Sequence, residues 1–264
     1  MIHPTAIIHP KAKLDSTVCV GPYAVIDEGV ELGANCVVGP YVYLTGLTKV
    51  GTSNTFHAGC VIGDAPQDLK YKNEPTGVRI GENNVFREHV TVHRSSKTLE
   101  DTVVGSRNFI MQHSHVGHNA IVGNDTIIAS GAMLGGHAAV HDRAFVSGNC
   151  LVHQFCRVGT LSMMQGGSAI SVDLPPFCIA LRVNEMCGLN VIGLRRAGFT
   201  SEQRLELKKA YRLLFRSGKN LREAVAEAQK TSGATGKILV DFVAGTKRGI
   251  CADVSRASNG PEEG

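Results

Sequence analysis

His3 to Val38 reads HPTAII HPKAKL DSTVCV GPYAVI DEGVEL GANCVV, blocks of six residues that each end in an apolar side chain. The register continues through GPYVYL, TGLTKV, GTSNTF and HAGCVI to Ile62. It survives an interruption from Gly63 to Ile80, resumes as GENNVF and REHVTV, and survives a second from His93 to Val104. From GSRNFI at Gly105 it then runs unbroken to QGGSAI, ending at Ile170. Both interruptions are whole multiples of the block. A period of six held over this length is the signature of a parallel β-helix, in which a short strand buries its apolar side chain only when coils stack above and below it. Three blocks make one triangular coil of about eighteen residues, with glycine or a small polar residue often opening a block where the chain turns. Independent hairpins would alternate with period two and would not keep a hexad register through insertions.

Composition agrees with such an interior. Of 264 residues, 43% are hydrophobic but only 5% aromatic, with no tryptophan and 30 glycines. The core is therefore expected to consist of small aliphatic side chains. No secretory signal and no membrane-spanning apolar run is present, so a soluble, cytoplasmic protein is expected. Eight cysteines are scattered without a C-x-x-C pair. Cys36, Cys60, Cys150 and Cys156 share one position of the repeat, which suits small buried hydrophobes in a reducing compartment.

The expected β-helix occupies residues 1–182, with loops leaving it near 63–80 and 93–104. The first, GDAPQDLKYKNEPTGVRI, is charged and contains Pro66 and Pro75; the second, HRSSKTLEDTVV, is mostly polar. Long loops on a rigid scaffold tend to carry function. Pro175 and Pro176 are expected to end the stacked strands. A helical domain is expected over 183–250: Thr200 and Gln203 read as a capping box, Leu207, Ala210, Tyr211 and Leu214 share one helix face, and Gly218 suits a stop. Residues 251–264 read as a disordered tail.

A coil of about eighteen residues turns sequence separation into stacking. His118, Gly136 and Gln154 form one column; Asn119, His137 and Phe155 another; Gly117, Gly135 and His153 a third; and His115 lies beneath Met133 and Leu151. His118, His137, His153 and Gln154 thus gather at one corner, close to His115. Gly136 above His118 leaves a notch with an approachable backbone N–H. A histidine base beside such a donor suits acyl transfer: the imidazole removes a hydroxyl proton and the N–H stabilises the oxyanion. Two other readings stay open. The imidazoles could be solvated corner residues, or His113, His118 and His137 could hold a metal, although no three histidines clearly share a face and no acidic partner stands out.

QDLKY from Gln67, EPT from Glu74, VHR from Val92, HVGH from His115, GGH from Gly135, HQFC from His153 and GLNVIGLRRAGF from Gly188 occur in the order found in the UDP-N-acetylglucosamine O-acyltransferases that begin lipid A synthesis. The chain resembles that family over nearly its whole length. The resemblance implies a left-handed parallel β-helix, against the usual right-handed crossover, and a homotrimer with active sites between subunits. It also implies transfer of an R-3-hydroxyacyl group from acyl carrier protein to the 3-hydroxyl of UDP-N-acetylglucosamine, with no metal or other cofactor. Carried over by motif, His118 is the general base and the Gly136 N–H the oxyanion donor. Gln67, Asp68 and Lys70 in the first loop, with His115, His137, His153 and Gln154, bind substrate. Asn190 and Arg196 hold the nucleotide.

The chain also departs from the family. Asn119 stands where an aspartate often follows the base, so it can orient the imidazole but carries no charge. Ile192 and Ala197 replace a glutamate and an arginine at the nucleotide site. Gly166 falls where glycine leaves the acyl groove long. From Arg195 to Arg222 there are nine Lys or Arg against two Glu, a surface that would attract an acidic carrier protein. Nucleic acid is not expected, because no basic run is interleaved with stacking aromatics. Three other activities compete with the expected one: amide formation on a 3-amino sugar nucleotide, a metal-dependent hydratase, and a scaffold without catalysis.

Overall fold

The structure is a computed structural model that describes residues 1–254. From Ile7 to Leu181 the chain runs through short strands, most of two residues. Each pairs in parallel with the strand one coil later, Phe109 with Ile127, Ile127 with Phe145 and Phe145 with Met163. Three parallel sheets form the faces of a triangular prism. The first face carries His115–Val116, Met133–Leu134 and Leu151–Val152; the second carries Ile121–Val122, Ala139–Val140 and Arg157–Val158. The third carries Phe109–Ile110, Ile127–Ile128, Phe145–Val146 and Met163–Met164.

Every block repeats one local geometry. Its sixth residue is buried in a stack of aliphatics that includes Val116, Leu134, Val152 and Ile170. Its fourth is also buried and small, as in Ala132, Ala138, Ala144, Cys150 and Cys156. From Tyr23 onward the third turns most corners in the left-handed region: Arg107, Asn119, Asp125, His137 and Arg143 have φ of 58°, 58°, 56°, 59° and 59°. Thr5, Lys11 and Thr17 in the first blocks do not. None of the non-glycine residues with positive φ is β-branched, as the steric cost requires. The glycines that open blocks have a different reason from the turning expected of them. A Cβ on Gly105 would lie 2.5 Å from the Gly123 carbonyl oxygen, so the neighbouring coil excludes a side chain there. Proline occupies the second place at Pro4, Pro10, Pro22 and Pro40, so the sheets make no use of that N–H.

A buried polar ladder runs up the third face. Asn84 donates from its side chain to Asn54 Oδ1 at 2.9 Å and to the Gly105 carbonyl at 2.9 Å, while its own Oδ1 accepts the Asn108 backbone N–H at 2.9 Å. Asn108 repeats the pattern, donating to Gly123 O at 2.9 Å and accepting from Thr126 N at 2.8 Å. Each amide satisfies groups that the short strands leave unpaired, so its removal strands a buried donor.

The end of the prism differs from expectation. Beyond Pro175 and Pro176, Cys178–Leu181 adds to the third face beside Met163–Met164. Glu185–Leu189 then folds back antiparallel on it, so the expected border at 182/183 falls inside a hairpin and the helical domain opens with a strand. Four helices follow: α1 (Val191–Arg196), α2 (Ser201–Arg216), α3 (Leu221–Thr231) and α4 (Ala234–Ala244). The Thr200–Gln203 capping box starts α2, the four predicted residues form its buried face, and Gly218, at φ +78°, follows its end. α2 packs on α3 and α4. Asp173, 1% exposed, accepts from Arg157 Nε at 2.9 Å, Arg157 Nη2 at 2.6 Å and Thr246 Oγ1 at 2.8 Å, fastening the end of α4 to the prism.

The expected tail begins too early. Cys251 is buried, Ala252–Asp253 pairs with Glu185–Met186, and Asp253 accepts from Arg216 Nε at 2.6 Å. The rest of that expected tail, residues 255–264, lies outside the described residues. All eight cysteines are free thiols. Among the described residues no helix is long and apolar enough to cross a membrane. The polar ladder yields a test: Asn84→Ala should lower the free energy of unfolding by about 2 kcal/mol, read as a lower urea midpoint, and an unchanged midpoint would show that the ladder is dispensable.

Candidate active site

Both insertions leave the prism between its first and second faces. Residues 65–76 connect Val61–Asp64 to Gly77–Ile80, and 94–100 connect Thr91–His93 to Asp101–Val104. The loops are therefore shorter than 63–80 and 93–104, because each gap ends in a four-residue strand of the second face. Arg94 pins the two together, donating from Nε to Tyr71 Oη at 3.0 Å and from Nη1 to the Gly63 carbonyl at 2.9 Å. In the coils above, the same corner carries His118, His137 and Gln154.

His118 is the hub of this corner. A Cβ on Gly136 would lie 2.6 Å from His118 Nε2, so only glycine lets the ring lie across that backbone. Gly136 holds the second place of its block, and its N–H donates no hydrogen bond among the described residues, although its carbonyl accepts the Phe155 N–H at 3.1 Å. His118 Nδ1 lies 2.9 Å from Asn119 Oδ1. The orientation of that amide follows from its other partners. Oδ1 accepts the Ser96 backbone N–H at 3.0 Å, whereas Nδ2 donates to Glu100 Oε2 at 3.0 Å and to Ser95 Oγ at 2.6 Å. A backbone N–H can only donate and an ionised carboxylate can only accept, so His118 Nδ1 must carry the proton it shares with Oδ1. Nε2 keeps its lone pair beside Gly136.

Two cavities meet at this ring. One, of about 530 Å³, is lined along the first face by His115, Met133, Leu151, Ala169 and Val183, with His93, His153 and Gly136 near His118. The other, of about 470 Å³, is lined by the charged Asp68 and Lys70 together with His137 and Phe155. His118, Gln67 and Gln154 border both. Asp68 shapes its loop by accepting the Lys70 backbone N–H at 3.0 Å.

Burial works against protonation of three of the surrounding histidines. Burial pushes His115 down to about 4, helped by His93 and His118 nearby, and its Nδ1 lies 2.7 Å from Thr91 Oγ1. Burial likewise lowers His93, whose Nδ1 is buried without a partner among the described residues. His137, edge-on to His118 at 5.4 Å and stacked on Phe155 at 4.6 Å, is lowered by burial and then by His118. His153 is exposed at the cavity rim, 3.4 Å from Arg248 Nη2. The expected corner of His115, His118, Gly136, His137, His153 and Gln154, with Gln67, Asp68 and Lys70, is thus assembled within one chain.

Asn190, Arg196 and Gly166 lie elsewhere. Asn190 caps α1, accepting the Gly193 N–H at 3.0 Å, and donates to the Leu161 carbonyl at 3.0 Å. With Arg196, Ile192 and Ala197 it lines a cavity of about 810 Å³ over the third face, against Ile127, Phe145 and Met163. Gly166 is exposed near the corner between the third and first faces. His113 stacks on His89 at 5.2 Å and borders neither cavity beside His118, so the metal trio weighed from spacing is not assembled. Among the described residues no group of three His, Cys, Asp or Glu is arranged to hold a metal ion. The residue sequence reasoning missed is Glu100. It lies in the second insertion, where column arithmetic lapses, and nothing in the pattern of LEDT marks it.

Comparison with known proteins bears on the same residues. The hexapeptide-repeat model of bacterial transferases matches 11–46 and 101–136, and the model for the second domain of UDP-N-acetylglucosamine O-acyltransferases matches 173–251. A Thermodesulfovibrio yellowstonii protein named acyl-[acyl-carrier-protein]--UDP-N-acetylglucosamine O-acyltransferase is 43% identical over 95% of this chain and 98% of its own. The solved UDP-N-acetylglucosamine acyltransferase of Francisella novicida superposes with a TM-score of 0.94 at 33% identity, covering 98% of this chain and 96% of that one. The enzyme from Bacteroides fragilis does so at 0.91 and 39%, covering 95% and 99%. The prism is accordingly a left-handed parallel β-helix, and, matched from end to end in repeats, helical domain and whole fold, the chain belongs to the UDP-N-acetylglucosamine O-acyltransferase family.

Proposed function

We propose that this protein moves an R-3-hydroxyacyl group from acyl carrier protein to the 3-hydroxyl of UDP-N-acetylglucosamine, the first step of lipid A synthesis, with His118 as general base. The observation that carries the reading is the position of His118 between a largely apolar cavity and one that bears Asp68 and Lys70, its Nε2 against Gly136. The acyl thioester enters from the apolar side and the sugar from the side of Asp68 and Lys70. His118 Nε2 takes the proton of the hydroxyl as its oxygen attacks the thioester carbonyl carbon. The tetrahedral oxyanion is met by the Gly136 N–H, and collapse expels the pantetheine thiolate, which receives the proton back from the imidazolium. His115, His137, His153, Gln67 and Gln154 orient the two substrates by hydrogen bonding. No metal or other cofactor enters these steps.

The nucleotide-binding role of Asn190 and Arg196 requires a second copy of the chain. These residues belong to a cavity over the third face, whereas His118 belongs to the corner of the first and second. Outward side chains on the third face form an apolar column of Val85, Phe109, Ile127, Phe145 and Met163, with Ile127 exposed. Their burial against a neighbour supports a homotrimer in which one subunit's α1 completes another's site. Beside Gly166 the nearest atom to an added Cβ is the Gly148 carbonyl oxygen at 3.7 Å. This open space supports a long acyl chain.

Docking of acyl carrier protein is assigned to the basic face of α2. Arg204, Lys208, Arg212 and Arg216 line a cavity of about 450 Å³ with Leu194 and Leu205. The carrier is cytoplasmic, and so, on this reading, is the reaction.

Product analysis by mass spectrometry with UDP-N-acetylglucosamine and a panel of R-3-hydroxyacyl carrier proteins should give one ester. His118→Ala should cut its rate on the order of a thousandfold; an amide formed only on a 3-amino sugar nucleotide would replace the acceptor. Because burial lowers the pKa of His93, His115 and His137, kcat/KM against pH should show one acidic limb of unit slope, and a slope of two would assign a second histidine to the chemistry. The KM for carrier protein should rise several-fold between about 50 and 200 mM salt, and indifference to salt would remove the basic face of α2 from docking.

A further inference from the structure

Asn119 is uncharged, yet a carboxylate stands directly behind it. Glu100 Oε2 accepts from Asn119 Nδ2 at 3.0 Å, and Asn119 Oδ1 accepts from His118 Nδ1 at 2.9 Å. Glu100 comes from the second insertion, whose Ser95 and Ser96 hold the same amide from the other sides at 2.6 and 3.0 Å. Four partners therefore fix one side chain, and the amide dipole points its oxygen at the imidazole and its nitrogen at the carboxylate. We propose that Glu100 is a positioning residue for the base, supplying through Asn119 the negative charge that stabilises the His118 imidazolium formed during acyl transfer. The proposal rests on His118 being the base.

The proton does not travel along this chain. It moves from the acceptor hydroxyl to Nε2 and on to the leaving thiolate, while Nδ1–H, the Asn119 amide and the Glu100 carboxylate keep their protonation states. Glu100 acts by Coulomb attraction and by locking the amide, which in turn fixes the tautomer. Other charged and titratable groups face the ring. Lys97 Nζ pairs with the second Glu100 oxygen at 3.3 Å and offsets part of its charge. His93 and His115 face it from the first face, His137 from the next coil, and Asp68 and Lys70 from the first insertion.

The arrangement predicts a charge swap. In Asn119→Asp two carboxylates would meet at hydrogen-bond distance, so one would take up a proton and the base would gain nothing. In Glu100→Gln/Asn119→Asp the glutamine amide can donate to the aspartate, whose charge then rests directly on Nδ1–H. The experiment measures kcat, both KM values and the pH profile for the wild type, the two single variants and the double variant, with thermal melting of each as the folding control.

Glu100→Gln should lower kcat about tenfold with KM little changed, and move the acidic limb of kcat/KM to lower pH. The double variant should return kcat to within about threefold of wild type, far above the product of the single effects. Lys97→Met, which unmasks the Glu100 charge without touching the amide, should move the limb to higher pH. A Glu100→Gln enzyme with wild-type kcat and profile, or a double variant equal to the product of the singles, would overturn the proposal. The His118→Ala background separates it from the assignment of the base. An active His118→Ala enzyme sinks that assignment and the proposal with it, whereas an inactive one whose residual rate falls tenfold again on Glu100→Gln shows Glu100 acting elsewhere.

Discussion

The structure depends on the stacking of one coil on the next at a fixed period. A two-residue strand cannot bury its aliphatic side chain alone; it does so only when Val116 lies between Val92 and Leu134, and Leu134 between Val116 and Val152. Stacking requires every corner to turn alike. Hence, beyond the first coil, most third residues enter the left-handed region and none of these is β-branched, and the first loses its side chain where an added Cβ would lie within about 3 Å of the next backbone, as at Gly105 and Gly117. Asparagines inside the third face satisfy the polar groups that so tight a repeat leaves over.

The same rigidity makes a site out of a corner. Both insertions leave the prism between the first and second faces, where the coils above present His118, His137 and Gln154. The first insertion lines the smaller cavity with Asp68 and Lys70, and the second grips Asn119 with Ser95, Ser96 and Glu100. Flexible sequence is held by Arg94 and Tyr71 against a framework that does not move with it. Precision at Nε2 comes from packing: the ring lies on a residue with no Cβ, and its other nitrogen meets an amide with no freedom to flip.

Electrostatics divides labour among similar side chains. Burial opposes protonation of His93, His115 and His137, which favours three imidazoles beside the reacting atoms as hydrogen-bonding groups rather than charges. His118 alone has a buried amide on one nitrogen and an open cavity at the other. Placing the carboxylate one residue further out, at Glu100, spreads over two chain segments what a neighbouring aspartate would do in one, and it lets Lys97 temper the charge.

The hexad register by itself determined the β-helix, its columns and therefore the meeting of His118, Gly136 and Gln154, because a fixed period turns sequence distance into spatial distance. The same register marked the buried cysteines, and the local Thr200–Gln203 spacing determined the capped helix that follows. The resemblance of the loop motifs carried the chemistry. Tertiary structure decided what the period does not govern. Glu185–Leu189 is a strand because the edge of the third face offers it partners, although its surroundings read as helical. Asp253 is fastened at the end of what reads as a tail, because Arg216 has a partly buried charge to satisfy. Glu100 reaches Asn119 only because an insertion returns to the corner it left, a closure that no column count through the loop could reveal. The separation of Asn190 and Arg196 from His118 follows from the prism having three faces, which a linear repeat lists in order but does not hold apart.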